Sequence, residues 1–145
     1  MIRIAIVALL LASTAAAQYT WRSTLDAIRQ VETGGCPKGG IGTKGDRGNA
    51  LGPYQIWKIY HTDAAERDKT LTDYRRCLTS RSYSERVVKA YMTRYCGAAV
   101  RRLVQGTGTL ADVERVARVH NGGPRGHKKK ATLAYWAKVK QEVSR

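Results

Sequence analysis

The 145-residue chain is short of cysteine and of negative charge, with three cysteines and eleven acidic residues against 26 lysines and arginines. Three scattered cysteines with no C-x-x-C pair and no nearby histidine exclude a metal site, so none is expected. Only one long apolar run exists, at the extreme N-terminus, which excludes a multi-pass membrane protein. Internal repeats and interior linkers are absent, and the length is too small for two ordinary domains. What is present is a core-forming composition: 43% of residues are hydrophobic and 26% charged, which excludes disorder as the main state.

The apolar run reads as an export signal. Met1-Ile2-Arg3 supplies a positive charge, Ile4 to Leu11 is apolar, and Ala15-Ala16-Ala17 offers a small-residue cleavage site before Gln18. A stable membrane anchor would need roughly 20 apolar residues. Residues 1–17 are therefore expected to be a signal peptide and 18–145 the mature domain. The destination is outside the cell, or the periplasm of a bacterium. Loss of Arg3 leaves +14 of the formal +15. One disulfide fits such a compartment. Cys77 with Cys96 is the preferred pair because both lie in the helical middle of the chain; the alternative is that none is paired.

Apolar periodicity predicts a largely α-helical domain. Trp21, Leu25 and Ile28 mark a first helix over 19–33, with Ser23 and Asp26 spaced as a capping box. A glycine-rich stretch from Gly34 to Gly52 follows, read as loops with a short β-hairpin. Pro53 fits the first position of a second helix to Arg67, with Ile56, Ile59 and Tyr60 facing inward. Leu71, Tyr74 and Leu78 suggest a short third helix. Ser82 and Glu85 suggest the cap of a fourth, with Val88, Tyr91, Met92 and Tyr95 on one face and Gly97 as a stop. Thr109 and Asp112 cap a fifth, which ends at Asn121-Gly122-Gly123-Pro124. A last helix over 131–143 is anchored by Leu133, Trp136 and Val139.

Glu32 continues the apolar stripe of the first helix, four residues after Ile28, and sits in its last turn. Desolvation and the negative end of the helix dipole both favour the protonated acid there, as a general acid needs. The alternative is a frayed helix end with a solvated side chain. Asp46 lies in Gly45-Asp46-Arg47-Gly48, where Lys44 and Arg47 favour its ionised form; alone it would pass for a turn residue. Together, one acid kept protonated and one kept charged match the division of labour in glycoside hydrolysis. The remaining carboxylates are explained by caps, connections and charged faces.

Four segments, in order, carry a resemblance: Val31-Glu32-Thr33-Gly34-Gly35, Gly45-Asp46-Arg47-Gly48, Leu51-Gly52-Pro53-Tyr54-Gln55-Ile56 and His120-Asn121-Gly122-Gly123-Pro124-Arg125-Gly126. With Ala134-Tyr135-Trp136 in the last helix, the sequence resembles the invertebrate-type (destabilase-type) lysozyme family over nearly all of the mature chain. The resemblance implies a mainly α, lysozyme-like fold and hydrolysis of the β-1,4 bond between N-acetylmuramic acid and N-acetylglucosamine in peptidoglycan. It places the proton donor on Glu32 and the nucleophile or charge stabiliser on Asp46, with no cofactor. It also implies sugar contacts at Trp57, Tyr60, His61, Asp63, Tyr91, His120 and Asn121. Tyr60, Tyr91 and His120 equally fit core-facing helical positions.

Three departures stand out. Animal members are cysteine-dense, so this chain is expected to rest more on helix packing, and a cysteine-poor, bacterial-like relative is as good a fit as an animal protein. His61 stands where the family usually has tryptophan. Some members carry an isopeptidase activity credited to a serine; here Asn49, Ala50 and Leu51 occupy that region, and Lys58 alone has no nucleophile to activate, so no isopeptidase is expected.

The excess positive charge draws the protein to anionic bacterial surfaces, with a strength that falls as salt rises. Nucleic acid is not an expected partner: basic residues are spread over every helix and no groove-reading motif is present. The expected product is a monomeric, retaining enzyme whose carboxyl groups lie roughly 5–5.5 Å apart with substrate bound. Two alternatives differ in chemistry: a lytic transglycosylase using Glu32 alone, and a non-enzymatic cationic antimicrobial protein.

Overall fold

The computed structural model describes residues 18–145. The expected signal peptide lies outside the described residues. Among those residues the elements are α1 (Trp21–Thr33), β1 (Lys44–Gly45), β2 (Ala50–Leu51), β3 (Ile56–Trp57), α2 (Lys58–Arg67), α3 (Arg76–Thr79), α4 (Arg81–Val104), α5 (Leu110–Gly122) and α6 (Leu133–Val143). The mainly α expectation holds. The predicted hairpin is a three-stranded antiparallel sheet in chain order, pairing Gly45 with Ala50 and Ala50 with Trp57.

The first helix is capped three residues earlier than expected. The Thr20 hydroxyl accepts from the Ser23 amide at 3.0 Å, and Ser23 Oγ accepts from the Thr20 amide at 3.1 Å. Asp26 is thereby released to pair with Arg22 and Arg81. Leu25 and Ile28 are buried as predicted and carry the stripe toward Glu32.

The second helix starts later than its proline suggested. Gly52 to Gln55 form a turn closed by the Gln55 amide on the Gly52 carbonyl at 3.0 Å, and the chain passes through β3 before turning helical at Lys58. This delay turns Ile59 outward, 76% exposed, while Tyr60, His61 and Ala64 face the core. Gly52 is required: its φ is +70°, and a Cβ there would collide with the Cys77 carbonyl.

The central α4 is capped by Ser80 rather than Ser82, and it does not stop at Gly97. A single non-helical residue, Cys96 (φ −148°, ψ 44°), interrupts it, after which Val100 and Leu103 keep the apolar face buried. Against α4 pack α1, with Leu25 and Ile28, and α5, with Val113, Val116 and Ala117, while Val139 of α6 joins the same core from the side of α1 and α5. Leu133, expected as an anchor of α6, is instead 48% exposed at its first turn.

Cys77 and Cys96 are both buried but not bridged; all three cysteines are free. The reason is geometric. Cys77 sits beside the first turn of α4, its carbonyl accepting from Ser84 Oγ at 2.9 Å. Cys96 lies twelve residues further along that helix, about 18 Å away at 1.5 Å per residue, whereas a disulfide needs its Cα atoms within about 7 Å.

Candidate active site

The end of α1, the sheet, the start of α2 and the end of α5 converge on a cleft of about 290 Å³. Glu32, Tyr60, His120 and Asn121 form its helical wall, and Asp46, Ala50, Gln55 and Trp57 the wall contributed by the sheet and its turns.

Glu32 is partly sheltered, its side chain 19% exposed. The Tyr135 hydroxyl of α6 donates to Glu32 Oε1 at 2.8 Å, and His120 Nε2 stands 3.4 Å from the same oxygen. His120 is itself held at both ring nitrogens: Nε2 lies 3.1 Å from the Tyr54 carbonyl and Nδ1 3.1 Å from the Tyr60 hydroxyl. A carbonyl only accepts, so Nε2 carries a hydrogen, and the Tyr60 hydroxyl holds the ring at Nδ1. Burial, with the Glu32 carboxylate beside it, pushes the Tyr135 phenol well above its ordinary range; burial does the same to Tyr60. Both therefore remain donors throughout the range in which proteins are stable.

Asp46 is presented differently. It opens the turn Asp46–Gly48 with φ +44°, followed by Arg47 at +57°; Gln55 across the sheet is at +47°. Three non-glycine residues in the left-handed region, two of them lining the cleft, store backbone strain of the kind that accompanies functional sites. The pairing of Gly45 with Ala50 and the Asn49 amide bond to the Asp46 carbonyl at 3.1 Å hold the turn in place. The Asp46 side chain is exposed.

The pattern of ion pairs singles out the same two acids. Eight of the eleven carboxylates bridge to an arginine or lysine: Asp26, Asp63, Glu66, Asp68, Glu85, Asp112, Glu114 and Glu142. Asp73 binds the Arg75 amide in a turn. Only Glu32 and Asp46 remain, both without an arginine or lysine partner among the described residues and both in the cleft. In so basic a chain, that is an arrangement to keep two carboxyl groups available.

Of the sugar contacts expected from the resemblance, the structure brings Trp57, Tyr60, His120 and Asn121 to the cleft, and Trp57 is its most exposed aromatic at 47%. The other three lie elsewhere. His61 is buried, with Nε2 2.9 Å from the Tyr83 hydroxyl. Asp63 accepts from Tyr95 at 2.6 Å and pairs with Arg94. Tyr91 is buried beneath Tyr60. Gln55, Ala50 and Tyr135 were not singled out as site residues. Tyr135 stands four residues before buried Val139, so it was findable as a polar tip on an apolar stripe; no periodicity pointed to Gln55. Among the described residues no group of three or more His, Cys, Asp or Glu gathers as for a metal. No described helix is long and apolar enough to cross a membrane.

Comparison with known proteins follows the same lines. The family profile described as Destabilase matches residues 22–142. An Ostrea edulis lysozyme is 33% identical over 118 residues, covering 81% of this chain and 77% of its own. Invertebrate-type lysozyme 6 of Caenorhabditis elegans is 37% identical over 106 residues, covering 69% and 72%. A Magallana gigas lysozyme is 37% identical over 93 residues, and the match spans 60% of its length. Among solved structures, Meretrix lusoria lysozyme in complex with Aeromonas hydrophila PliI superposes with a TM-score of 0.61 at 31% identity, over 86% of this chain and 92% of that one. Tapes japonica lysozyme gives the same TM-score and coverage at 29% identity.

Proposed function

The chain belongs to the invertebrate-type (destabilase) lysozyme family of glycoside hydrolases, and on that premise we propose that it cleaves the β-1,4 bond after N-acetylmuramic acid in peptidoglycan, with Glu32 as proton donor and Asp46 as nucleophile. The observation that carries the residue assignment is the pair of carboxyl groups in one cleft left without lysine or arginine partners among the described residues, while the other acids are bridged or bound in a turn.

Glu32 gives its proton to the glycosidic oxygen as the bond from the anomeric carbon breaks, and the electron pair leaves with that oxygen. Asp46, charged and open to the cleft, closes on the anomeric carbon from the opposite face. Water then displaces the carboxylate, with Glu32 taking its proton, so the configuration is retained. Trp57 offers a flat apolar face to a pyranose ring, and Asn121 a short amide to its hydroxyl or acetamido groups. No cofactor enters these steps. Export by the N-terminal segment and a net charge near +14 bring a monomer to anionic walls.

Product analysis on purified wall tests the assignment. Wild type is expected to leave reducing ends. Glu32→Gln and Asp46→Asn are each expected to lower turnover by at least about a hundredfold. If 1,6-anhydro ends appear and Asp46→Asn retains full turnover, Glu32 works alone as a transglycosylase. Wall clearing that survives Glu32→Gln undiminished removes Glu32 from the mechanism.

A further inference from the structure

A carboxylic acid that donates a proton must hold it on one particular oxygen, and the surroundings of Glu32 treat its two oxygens unequally. Oε1 receives the Tyr135 hydroxyl at 2.8 Å and lies 3.4 Å from His120 Nε2, whose hydrogen goes to the Tyr54 carbonyl. Oε2 has no hydrogen-bond partner among the described residues. It is also not sealed away, because the only buried side-chain polar atoms lacking a partner there are Arg29 Nε and His127 Nδ1. Oε2 therefore opens to the cleft that Glu32 lines.

In a neutral acid the carbonyl oxygen is the better acceptor and the hydroxyl oxygen carries the hydrogen, so an Oε1 that already accepts the Tyr135 hydroxyl directs the proton to the other oxygen. We propose that Tyr135 is a positioning residue: by donating to Oε1, it makes Oε2 the oxygen that carries the catalytic proton and aims it at the glycosidic bond. This rests on Glu32 being the proton donor. Tyr135 suits the role because its place in α6 is independent of substrate. Its hydroxyl, held among Glu32, His120 and Tyr60, does not give up its own hydrogen. The ring of Tyr135 packs near that of His120, with centroids 6.4 Å apart, and His120 is tied at both ring nitrogens, which helps hold the Tyr135 ring in place. Rotation of the carboxyl group would break the bond to Tyr135, and the acid is thereby locked in one orientation before substrate arrives.

The test is Tyr135→Phe in the full mature chain, assayed on purified wall for kcat, KM and their pH dependence, with Glu32→Gln alongside. The ring is kept and only the donor removed. The expected result is a fall in kcat of about tenfold, the scale of one hydrogen bond to a charged group, with KM within about twofold of wild type. A donated hydrogen bond favours the charged carboxylate, so its loss moves the alkaline limb of the kcat profile to higher pH. Unchanged kcat, or a fall in kcat with an unmoved limb, overturns the proposal. Should Tyr135→Phe fail to fold, a crystal structure of the wild-type protein with a chito-oligosaccharide decides. Oε2 facing the glycosidic oxygen while Oε1 stays on Tyr135 upholds the proposal, and the reverse arrangement ends it. Wild-type turnover in Glu32→Gln would instead refute the donor assignment itself, so the two failures are distinguishable.

Discussion

The ring of Tyr60 lies flat on that of Tyr91, with centroids 3.6 Å apart and planes 13° from parallel. Tyr60 lines the cleft, whereas Tyr91 belongs to the buried face of α4, so the cleft is floored by the core itself. Tyr91→Phe is therefore expected to leave KM and kcat within about twofold, and Tyr91→Ala to lose about 3–5 kcal/mol of stability on urea unfolding. Trp57→Ala should do the opposite, raising KM severalfold with little change in Tm, because its indole is spent on the cleft rather than on the core.

Gly45 and Gln55 are linked across the sheet. A Cβ at position 45 would collide with Gln55 Oε1, while the Gln55 amide is tied to the Gly52 carbonyl at 2.9 Å. Gly45→Ala must displace the Gln55 side chain, which lines the cleft together with Asp46. The expected outcome is a fall in kcat/KM of about tenfold with less than about 1 kcal/mol lost in stability, since the obstacle is the far end of a flexible side chain.

Glu85 joins three elements, accepting from Arg22 at 2.8 Å, Arg81 at 2.9 Å and the Tyr54 hydroxyl at 2.8 Å. Burial alone would raise its pKa, but these three donors outweigh it and bring the carboxyl from 4.5 down to about 2. A depressed folded-state pKa stabilises the fold above the unfolded value and ceases to do so as the pH falls through the folded one. Stability should thus decline between pH 4.5 and about 2. Glu85→Gln should flatten that decline and cost about 1–2 kcal/mol at neutral pH, discounted for solvent screening of a partly exposed cluster. Chemical denaturation at a series of pH values measures both.

The cysteines give a fourth expectation. Burial pushes the Cys77 and Cys96 thiols up to about 12, and the Cys96 thiol donates to the Met92 sulfur at 3.5 Å. Cys36 is only partly buried. A thiol-specific reagent on native protein at pH 8 should modify Cys36 rapidly and the other two only on unfolding. Reducing agent should leave Tm unchanged.

How far the sequence carried the reading depended on whether position or orientation was in question. The stripe through Leu25 and Ile28, the Thr109–Asp112 capping box and the odd placement of Glu32 were all legible, because each is set by neighbours a turn away. The second helix was misjudged because Pro53 satisfies a turn as readily as a helix start, and the lost turn moved Ile59 outward. His61 and Asp63 follow Tyr60 closely in sequence, yet point toward Tyr83 and Tyr95, and Tyr91 lies in the core beneath Tyr60. Those partners come from other helices, which a local pattern does not register. Tyr135 was missed for the converse reason: its meaning comes from Glu32, more than a hundred residues earlier.

Asp46 and Arg47 adopt a backbone shape that glycine would take up without cost, and neither is glycine. Substituting glycine for Arg47 would relax the turn, yet it would also free the neighbouring carboxylate to wander. The tension in this bend gives the carboxylate that follows the two-residue strand a fixed bearing in the cleft, and with Asp46 as the proposed nucleophile, a relaxed and sturdier turn is expected to make a slower protein.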